Sequence, residues 1–172
     1  MVHIVQKENP VLRKKAQLVE PEKIGSRHIQ KVLTDMSSAL SVQKDGVAIA
    51  APQIGVPLRI FVVSGKVFRK KETDPGIPDK IFINPHILKL SRDKEWLEEG
   101  CLSVRWLYGE IRRSKKALVQ AYDEQGQKFT IGGSGLLAQI FQHEMDHLDG
   151  ILFIDKARNL KEILPEDESV AT

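Results

Sequence analysis

The chain has 172 residues, of which 41% are hydrophobic and 28% are charged, as expected of one folded domain with a sizeable core. No apolar run reaches the roughly 20 residues needed to cross a bilayer, and the N-terminal segment lacks the apolar stretch of a signal peptide. These features argue against an integral membrane protein and against a secreted one, so we expect a cytoplasmic location. The net charge of +3 identifies no partner. The single cysteine, Cys101, excludes an internal disulfide.

The first predicted element is a helix over residues 27–43, because apolar residues recur there at helical spacing. Ser26 stands where an N-cap is expected. Small residues then dominate positions 46–55, and a strand is predicted over residues 58–63. Residues 65–80 are polar and predict a surface loop.

The second half of the chain predicts short strands and one more helix. The strands are expected at 81–83, 87–90, 117–122 and 128–131, with a hairpin turn at 123–126. The helix should run from about residue 135 to 149 and end at Gly150. Several short strands with two helices indicate an α+β fold. We expect one catalytic domain over residues 1–164, followed by a polar tail over 165–172.

The strongest chemical signal is an H-E-x-x-H pattern, His143 to His147, inside the second predicted helix. Two histidines four residues apart differ by about 40° around a helix, so both imidazoles can reach one ion. Glu144 stands beside them, placed to handle a proton on an attacking water. Leu136 and Ile140 continue the stripe of the two histidines, which indicates that this stripe faces the interior. The alternative is a pair of surface histidines on a charged helix.

A catalytic metal site needs a third protein ligand, and Cys101 is the candidate for it. No histidine follows His147, whereas Cys101 lies upstream beside Gly100, which allows a close backbone approach. One thiolate and two imidazoles suit a borderline metal. A buried bystander and a catalytic nucleophile are the alternatives for this cysteine.

The small-residue stretch 46–53 ends in Gln53. Such a run lets the backbone pass close to a ligand, and a glutamine amide can donate to a developing oxyanion. The alternative is a tightly packed turn before the next strand.

Taken together, three segments in this order resemble the motifs of the peptide deformylase family. Residues 46–53, G-V-A-I-A-A-P-Q, resemble G-x-G-x-A-A-x-Q. Residues 99–103 match E-G-C-L-S, and residues 142–147 match Q-H-E-x-D-H. The resemblance covers roughly residues 9 to 155.

The resemblance implies antiparallel sheets packed around the central helix that carries the H-E-x-x-H motif, with a further helix nearer the N-terminus. It implies one divalent metal ion, usually Fe²⁺, with Zn²⁺, Ni²⁺ or Co²⁺ as alternatives. The implied substrates are formyl-methionyl nascent peptides, which would lose formate. The implied metal ligands are Cys101, His143 and His147. The implied catalytic groups are Glu144, Gln53 and the Leu102 N–H, and the implied substrate-binding residues are Gly46, Ala48, Ile49, Gly100, Ile140 and His143.

The chain departs from the family pattern at three places. Ala48 replaces a motif glycine, and Arg105-Trp106 stands where Pro-Gly is often found. The tail is acidic, whereas many bacterial members have a basic helix there. We therefore expect any ribosome contact to be transient and independent of the tail. The family also suggests that Arg113 pairs with Asp146.

Other functions compete with this one. A zincin-like metallopeptidase, a catalytically inactive metal-binding module and an RNA-binding protein are the alternatives, the last resting on the basic run 69–71. We expect a monomer with no membrane contact and no direct nucleic-acid recognition. An organellar origin is the alternative to a bacterial-type cytoplasm.

Overall fold

The computed structural model describes residues 2–71 and 76–165. Within these residues the chain forms two α-helices, eight strands and five short 3-10 helices. The helices are α1 (Arg27–Ser41) and α2 (Leu136–Leu148). The strands are β1 (Ala48–Ala50), β2 (Ile60–Val63), β3 (Lys80–Leu90), β4 (Lys94–Gly100), β5 (Leu107–Ser114), β6 (Lys116–Tyr122), β7 (Lys128–Ser134) and β8 (Arg158–Glu162).

The strands form two sheets. The larger sheet has the order β1-β2-β3-β6-β7 and the smaller has the order β4-β5-β8. Every pair of neighbouring strands is antiparallel. Two helices with antiparallel sheets confirm the α+β class. None of the helices in the described ranges is long and apolar enough to cross a membrane.

The larger sheet is covered by α2 on one face and, at its β1–β2 end, by α1 on the other. Side chains alternate between faces along a strand, and in β2 Phe61 packs with α2 while Ile60 and Val62 pack with α1. The rings of Phe61 and Phe82 stack at 4.4 Å, and Phe141 from α2 meets Phe82 edge-on at 5.4 Å. Each fully buried side chain of this size contributes about 1.5–3 kcal/mol, so α2 is held firmly against the sheet.

Both helices agree with their predicted positions. The Ser26 hydroxyl accepts a hydrogen bond from the Ile29 N–H at 3.4 Å, which confirms the cap of α1. Gly150 follows α2 with φ +76°, a left-handed conformation that favours glycine. The turn between β6 and β7 also confirms the predicted hairpin, since Asp123 N donates to the Gln127 carbonyl at 2.9 Å.

The strands depart from the prediction in two ways. The two short strands expected at 81–83 and 87–90 are one strand, β3. It passes through Asn84 at φ +50°, where the register shifts between Ile83 and His86, and it shifts again between Ile87 and Lys89. The Asn84-Pro85 pair therefore produces a bulge instead of a break. Strands β4, β5 and β8 were not predicted. Charged residues stand at buried positions of β4 and β5, Glu99 and Arg113, and β8 is exposed at every position, so no apolar alternation marks these strands. The predicted polar tail lies outside the described residues beyond Pro165.

Candidate metal and catalytic site

Helix α2 carries His143, Glu144 and His147 into the interior between the two sheets. His147 is 1% exposed and Glu144 is 3% exposed. The helix is fixed in register by Gln142, whose amide exchanges two 2.9 Å hydrogen bonds with the backbone of Ser114 at the end of β5. The predicted inward stripe is confirmed for Ile140 and the histidines.

The stripe prediction is wrong for Leu136. Its side chain is 52% exposed. Leu136 is the first residue of α2 and lines the cavity described below, so its side chain is not covered by the core.

Cys101 reaches the same point from the end of β4. Its Sγ lies 3.1 Å from His147 Nε2 and accepts the Ser103 N–H at 3.4 Å. Gly100 before it has no room for a side chain, because a Cβ there would lie 2.7 Å from the Tyr108 ring. A glycine is therefore required where β4 delivers the thiol.

Cys101, His143 and His147 form a group whose ligand atoms all lie within 4.8 Å of one another. Burial would raise the pKa of the Cys101 thiol, but the imidazoles of His147 and His143 outweigh this effect and lower the pKa to about 5. A thiolate and two imidazoles form a donor set for a borderline divalent metal. The residues present therefore fit a metal ion.

A buried network of charges supports His143 from behind. His143 Nδ1 lies 2.9 Å from Glu99 Oε2, and Arg113 binds both oxygens of Glu99 at 2.7 and 2.9 Å. Arg113 also reaches Asp146 Oδ2 at 2.7 Å, which confirms the pairing expected from the sequence. Because Nδ1 is held by Glu99, the Nε2 atom of His143 is left to face Cys101. A metal-binding histidine usually has its second ring nitrogen held in this way.

The same network keeps Glu99 ionised. Burial would raise the pKa of Glu99, but hydrogen bonds from His143 and Arg113 outweigh it and lower the pKa to about 2. Glu99 belongs to the second motif, yet its support of His143 was not predicted. The signal was an acidic residue two positions before the thiol at the buried end of β4.

Glu144 is a buried carboxyl group with one oxygen, Oε2, that accepts no hydrogen bond from the described residues. Burial raises the pKa of Glu144 above its usual value, and the neighbouring imidazoles of His143 and His147 offset part of the rise. A carboxyl group of this kind can exchange a proton nearer neutral pH than an exposed glutamate.

The side-chain amide of Gln53 points toward the Cys101 thiol. Its Oε1 accepts the Ala50 N–H at 2.8 Å, while its Nε2 faces Ser103 Oγ at 3.2 Å and Cys101 Sγ at 3.6 Å. The bond from Ala50 fixes which end of the amide is turned inward. Gln53 is 1% exposed, so this donor is held in a desolvated position.

These groups open into a cavity of about 290 Å³, which we call the cleft. It is lined by the segment after α1, the end of β4 with the residues that follow it, and the first half of α2. Of the residues predicted for the site, the cleft is lined by Gly46, Ala48, Gln53, Gly100, Cys101, Leu102, Ile140, His143 and Glu144. The lining residues that the sequence did not predict include Asp45, Val47, Arg105, Trp106, Tyr108 and Gln139.

Ile49 does not line the cleft, contrary to expectation. It is fully buried and packs in the cluster beneath α1. Val47 and Ala48 line the cleft instead, and Ala48 lies on the opposite face of β1 from Ile49. Any contact of Ile49 with a substrate would be made by its backbone.

The replacement of the motif glycine by Ala48 is accommodated. Ala48 begins the extended strand β1, and it is not among the described non-glycine residues with positive φ. Its methyl group packs in the α2 cluster. Gly46, in contrast, has no room for a side chain, since a Cβ would lie 2.9 Å from Gln43 Cβ.

Comparison with known proteins agrees with this geometry. The polypeptide deformylase family model matches residues 1–162. Peptide deformylase 2 of Clostridium acetobutylicum is 40% identical over 149 residues, which cover 86% of this chain and 89% of that protein. The chain belongs to the peptide deformylase family. It is therefore a hydrolase that removes the N-formyl group from nascent polypeptides, in a family of metalloenzymes.

Two further relatives show the range of the family. The chloroplastic/mitochondrial peptide deformylase 1A of Arabidopsis thaliana is 39% identical over 89% of this chain, which spans 60% of that protein's length. A Met-Ala-Ser-bound crystal structure of a class I type b peptide deformylase from Acinetobacter baumannii has a TM-score of 0.79 at 30% identity. That match covers 91% of this chain and 99% of the other.

Proposed function

We propose that Cys101, His143 and His147 hold the metal and that Glu144, Gln53 and Leu102 carry out deformylation beside it. The observation that carries this proposal is the convergence of one thiol and two imidazoles within 4.8 Å at the cleft, next to a buried carboxyl group. A metal ion bound there would polarise the formyl carbonyl and lower the pKa of the attacking water. We propose Fe²⁺ as the native ion, with Zn²⁺, Ni²⁺ and Co²⁺ as alternatives that suit the same donors.

Glu144 acts as the proton-transfer group. It takes a proton from the attacking water and delivers it to the amine that leaves when the formyl C–N bond breaks. Its raised pKa supports this role, because a carboxylate of higher pKa is a stronger base and takes a proton from the attacking water more readily. Glu144 is about 100° around the helix from His143, so it can reach the water without being a ligand.

Gln53 and Leu102 stabilise the charge that develops on the formyl oxygen. The Gln53 Nε2 group already points toward the thiol. The carbonyl of Leu102 accepts a hydrogen bond from Gln6 Nε2 at 3.1 Å, which helps to hold this residue in place after Cys101. Two fixed donors aimed at one oxygen lower the barrier without reorganisation during the reaction.

The substrate lies between the two walls of the cleft. Gly46 and Ala48 form one wall, and Gly100 begins the other. Ile140 and His143 approach from α2 to contact the first side chain, that of formyl-methionine. An apolar side chain gains from burial against Ile140, which is only 4% exposed.

We further infer one catalytic domain over residues 1–164, working as a monomer in a bacterial-type cytoplasm, with an organellar location as the alternative. The relatives include both bacterial and chloroplastic/mitochondrial proteins. Contact with the ribosome is expected to be transient and independent of the acidic tail. Because residues 160–162 belong to β8, a clean test removes residues 166–172 alone, and ribosome binding should be unchanged.

The test of function is formate release from formyl-Met-Ala, compared with cleavage of an internal bond in an unformylated peptide. We expect formate release and no internal cleavage. Internal cleavage alone would indicate a zincin-like peptidase, and neither activity in metal-loaded protein would indicate an inactive metal-binding module. Metal analysis after purification without oxygen should find one equivalent of iron, and a different metal would correct the proposed ion.

A further inference from the structure

An ion pair joins the two walls of the cleft at its mouth. Arg105 Nη1 donates to Asp45 Oδ2 at 2.6 Å, and Nη2 lies 3.3 Å from Asp45 Oδ1. The same Nη2 donates to the Gln43 amide oxygen at 2.8 Å. We call Asp45 and Arg105 the rim pair. It occupies the place where the sequence departs from the Pro-Gly of the family pattern.

The two members of the rim pair come from opposite walls. Asp45 immediately precedes Gly46, whereas Arg105 stands four residues after Cys101, and both line the cleft. Residues 43–46 and 101–105 are therefore fastened to each other beside the opening. The pair contributes little to metal binding or to proton transfer, because neither member touches the ligand group or Glu144.

A polypeptide substrate must pass this opening. Its formyl end lies at the thiol and imidazoles, and a chain extends at most about 3.3–3.6 Å per residue. Only the first few residues are enclosed by a cavity of about 290 Å³. The second and third residues, whose side chains vary between nascent proteins, thus come close to the rim pair.

The rim pair is exposed enough to act on those side chains. The Arg105 side chain is 21% exposed and that of Asp45 is 55% exposed. The other charged lining residue at the mouth, Glu98, is itself paired with Lys161 at 2.7 Å. A passing side chain of either sign therefore meets a positive and a negative group at similar range, and their effects largely cancel.

We propose that the rim pair determines charge selectivity toward the residues that follow formyl-methionine, and that its internal neutralisation makes the enzyme accept acidic and basic residues alike. This inference rests on the function proposed above and adds to it a specificity element. Removing one member uncovers the charge of the other. Asp45→Asn then favours acidic substrates, and Arg105→Gln favours basic ones.

The experiment compares kcat/KM for formyl-Met-Ala-Glu and formyl-Met-Ala-Lys, and for the matching peptides with the charge at the second residue. The acid-to-base ratio should be near one for the wild type. Asp45→Asn should raise the ratio about three- to tenfold and Arg105→Gln should lower it by a similar factor, at low salt. The double variant should restore a ratio near one, and Arg105→Lys, which keeps the charge, should stay near the wild type.

Arg158→Gln is the matched control. It removes one positive charge from an exposed pair with Glu110 on the smaller sheet, outside the cleft lining. Its acid-to-base ratio should equal that of the wild type. A shift as large as that of Arg105→Gln would assign the effect to overall charge and overturn the proposal.

The outcomes separate this inference from the function on which it rests. If the wild type releases no formate from neutral formyl-Met-Ala-Ser, the proposed function fails, and the inference fails with it. If the wild type is active but both single variants keep its ratio, or shift it in the same direction, the rim pair is not the specificity element. Opposite shifts that cancel in the double variant support the inference.

Discussion

In the part of the chain that the structure describes, two bidentate arginine–carboxylate pairs lie near the cleft, and they differ chiefly in burial. In the inner pair, Glu99 and Arg113, the side chains are 3% and 5% exposed. In the rim pair, Asp45 and Arg105, they are 55% and 21% exposed. The inner pair touches His143 and Asp146, whereas the rim pair touches Gln43 and faces solvent. The same chemical pair thus stands behind a proposed metal ligand in one place and at the mouth of the cleft in the other.

The difference in burial predicts that the two pairs contribute differently to the free energy of unfolding. Removing one partner of a buried pair leaves an uncompensated charge in the interior, which costs about 3–5 kcal/mol. An exposed pair contributes only about 0–1 kcal/mol, because water screens it. A change in the inner pair should therefore lower the free energy of unfolding substantially, whereas a change in the rim pair should lower it little.

Among the changes that probe this comparison, the largest expected effect is at Cys101, whose thiol lies in the same group as the histidine that the inner pair contacts. Cys101→Ser replaces a thiolate by a hydroxyl that stays protonated at neutral pH, so metal occupancy and formate release should both fall by at least about tenfold. Elemental analysis and the formate assay on the same preparation measure this. Full occupancy with full rate would show that Cys101 is a bystander.

Arg113→Met should have the next largest effect. It leaves the Glu99 and Asp146 carboxylates without their common partner, so the free energy of unfolding should fall by about 3–5 kcal/mol. Urea denaturation of the metal-loaded protein measures this change. A loss below about 1 kcal/mol would mean that water reaches the inner pair and that the contrast with the rim is wrong.

Arg105→Met is the matched and smallest change. It removes the same kind of side chain from the rim, and the free energy of unfolding should fall by no more than about 1 kcal/mol. The same denaturation series provides the comparison. A fall in the free energy of unfolding as large as that of Arg113→Met would show that the rim pair stabilises the fold, contrary to the comparison above.

The sequence predicted the motif residues of the site better than the strands and long-range contacts around them. The residues proposed to bind the metal and to transfer the proton fall in short motifs, and helix periodicity alone placed His143 and His147 on one inward face. The Arg113–Asp146 pair also followed from family resemblance and is confirmed at 2.7 Å. These features follow from local residue spacing or from sequence motifs shared by the family.

What the sequence did not predict depends on contacts between distant segments. Nothing local marks Arg105 as the partner of Asp45, sixty positions away. Strands β4 and β5 were missed because charged residues, Glu99 and Arg113, stand at buried positions and break the alternation of apolar and polar residues that marks a strand. Ile49 was assigned to the cleft because the motif does not reveal which side of β1 each residue faces.

The central claim is that Glu144 transfers the proton while other residues hold the metal, and Glu144→Gln tests it most directly. Glutamine preserves shape but cannot accept a proton as a base, so kcat on formyl-Met-Ala should fall by at least about a hundredfold. Metal content, measured on the same sample, should remain that of the wild type, and substrate binding should change much less than kcat. Loss of the metal would make Glu144 a ligand or a structural support, and an unchanged rate with full metal content would place the base elsewhere.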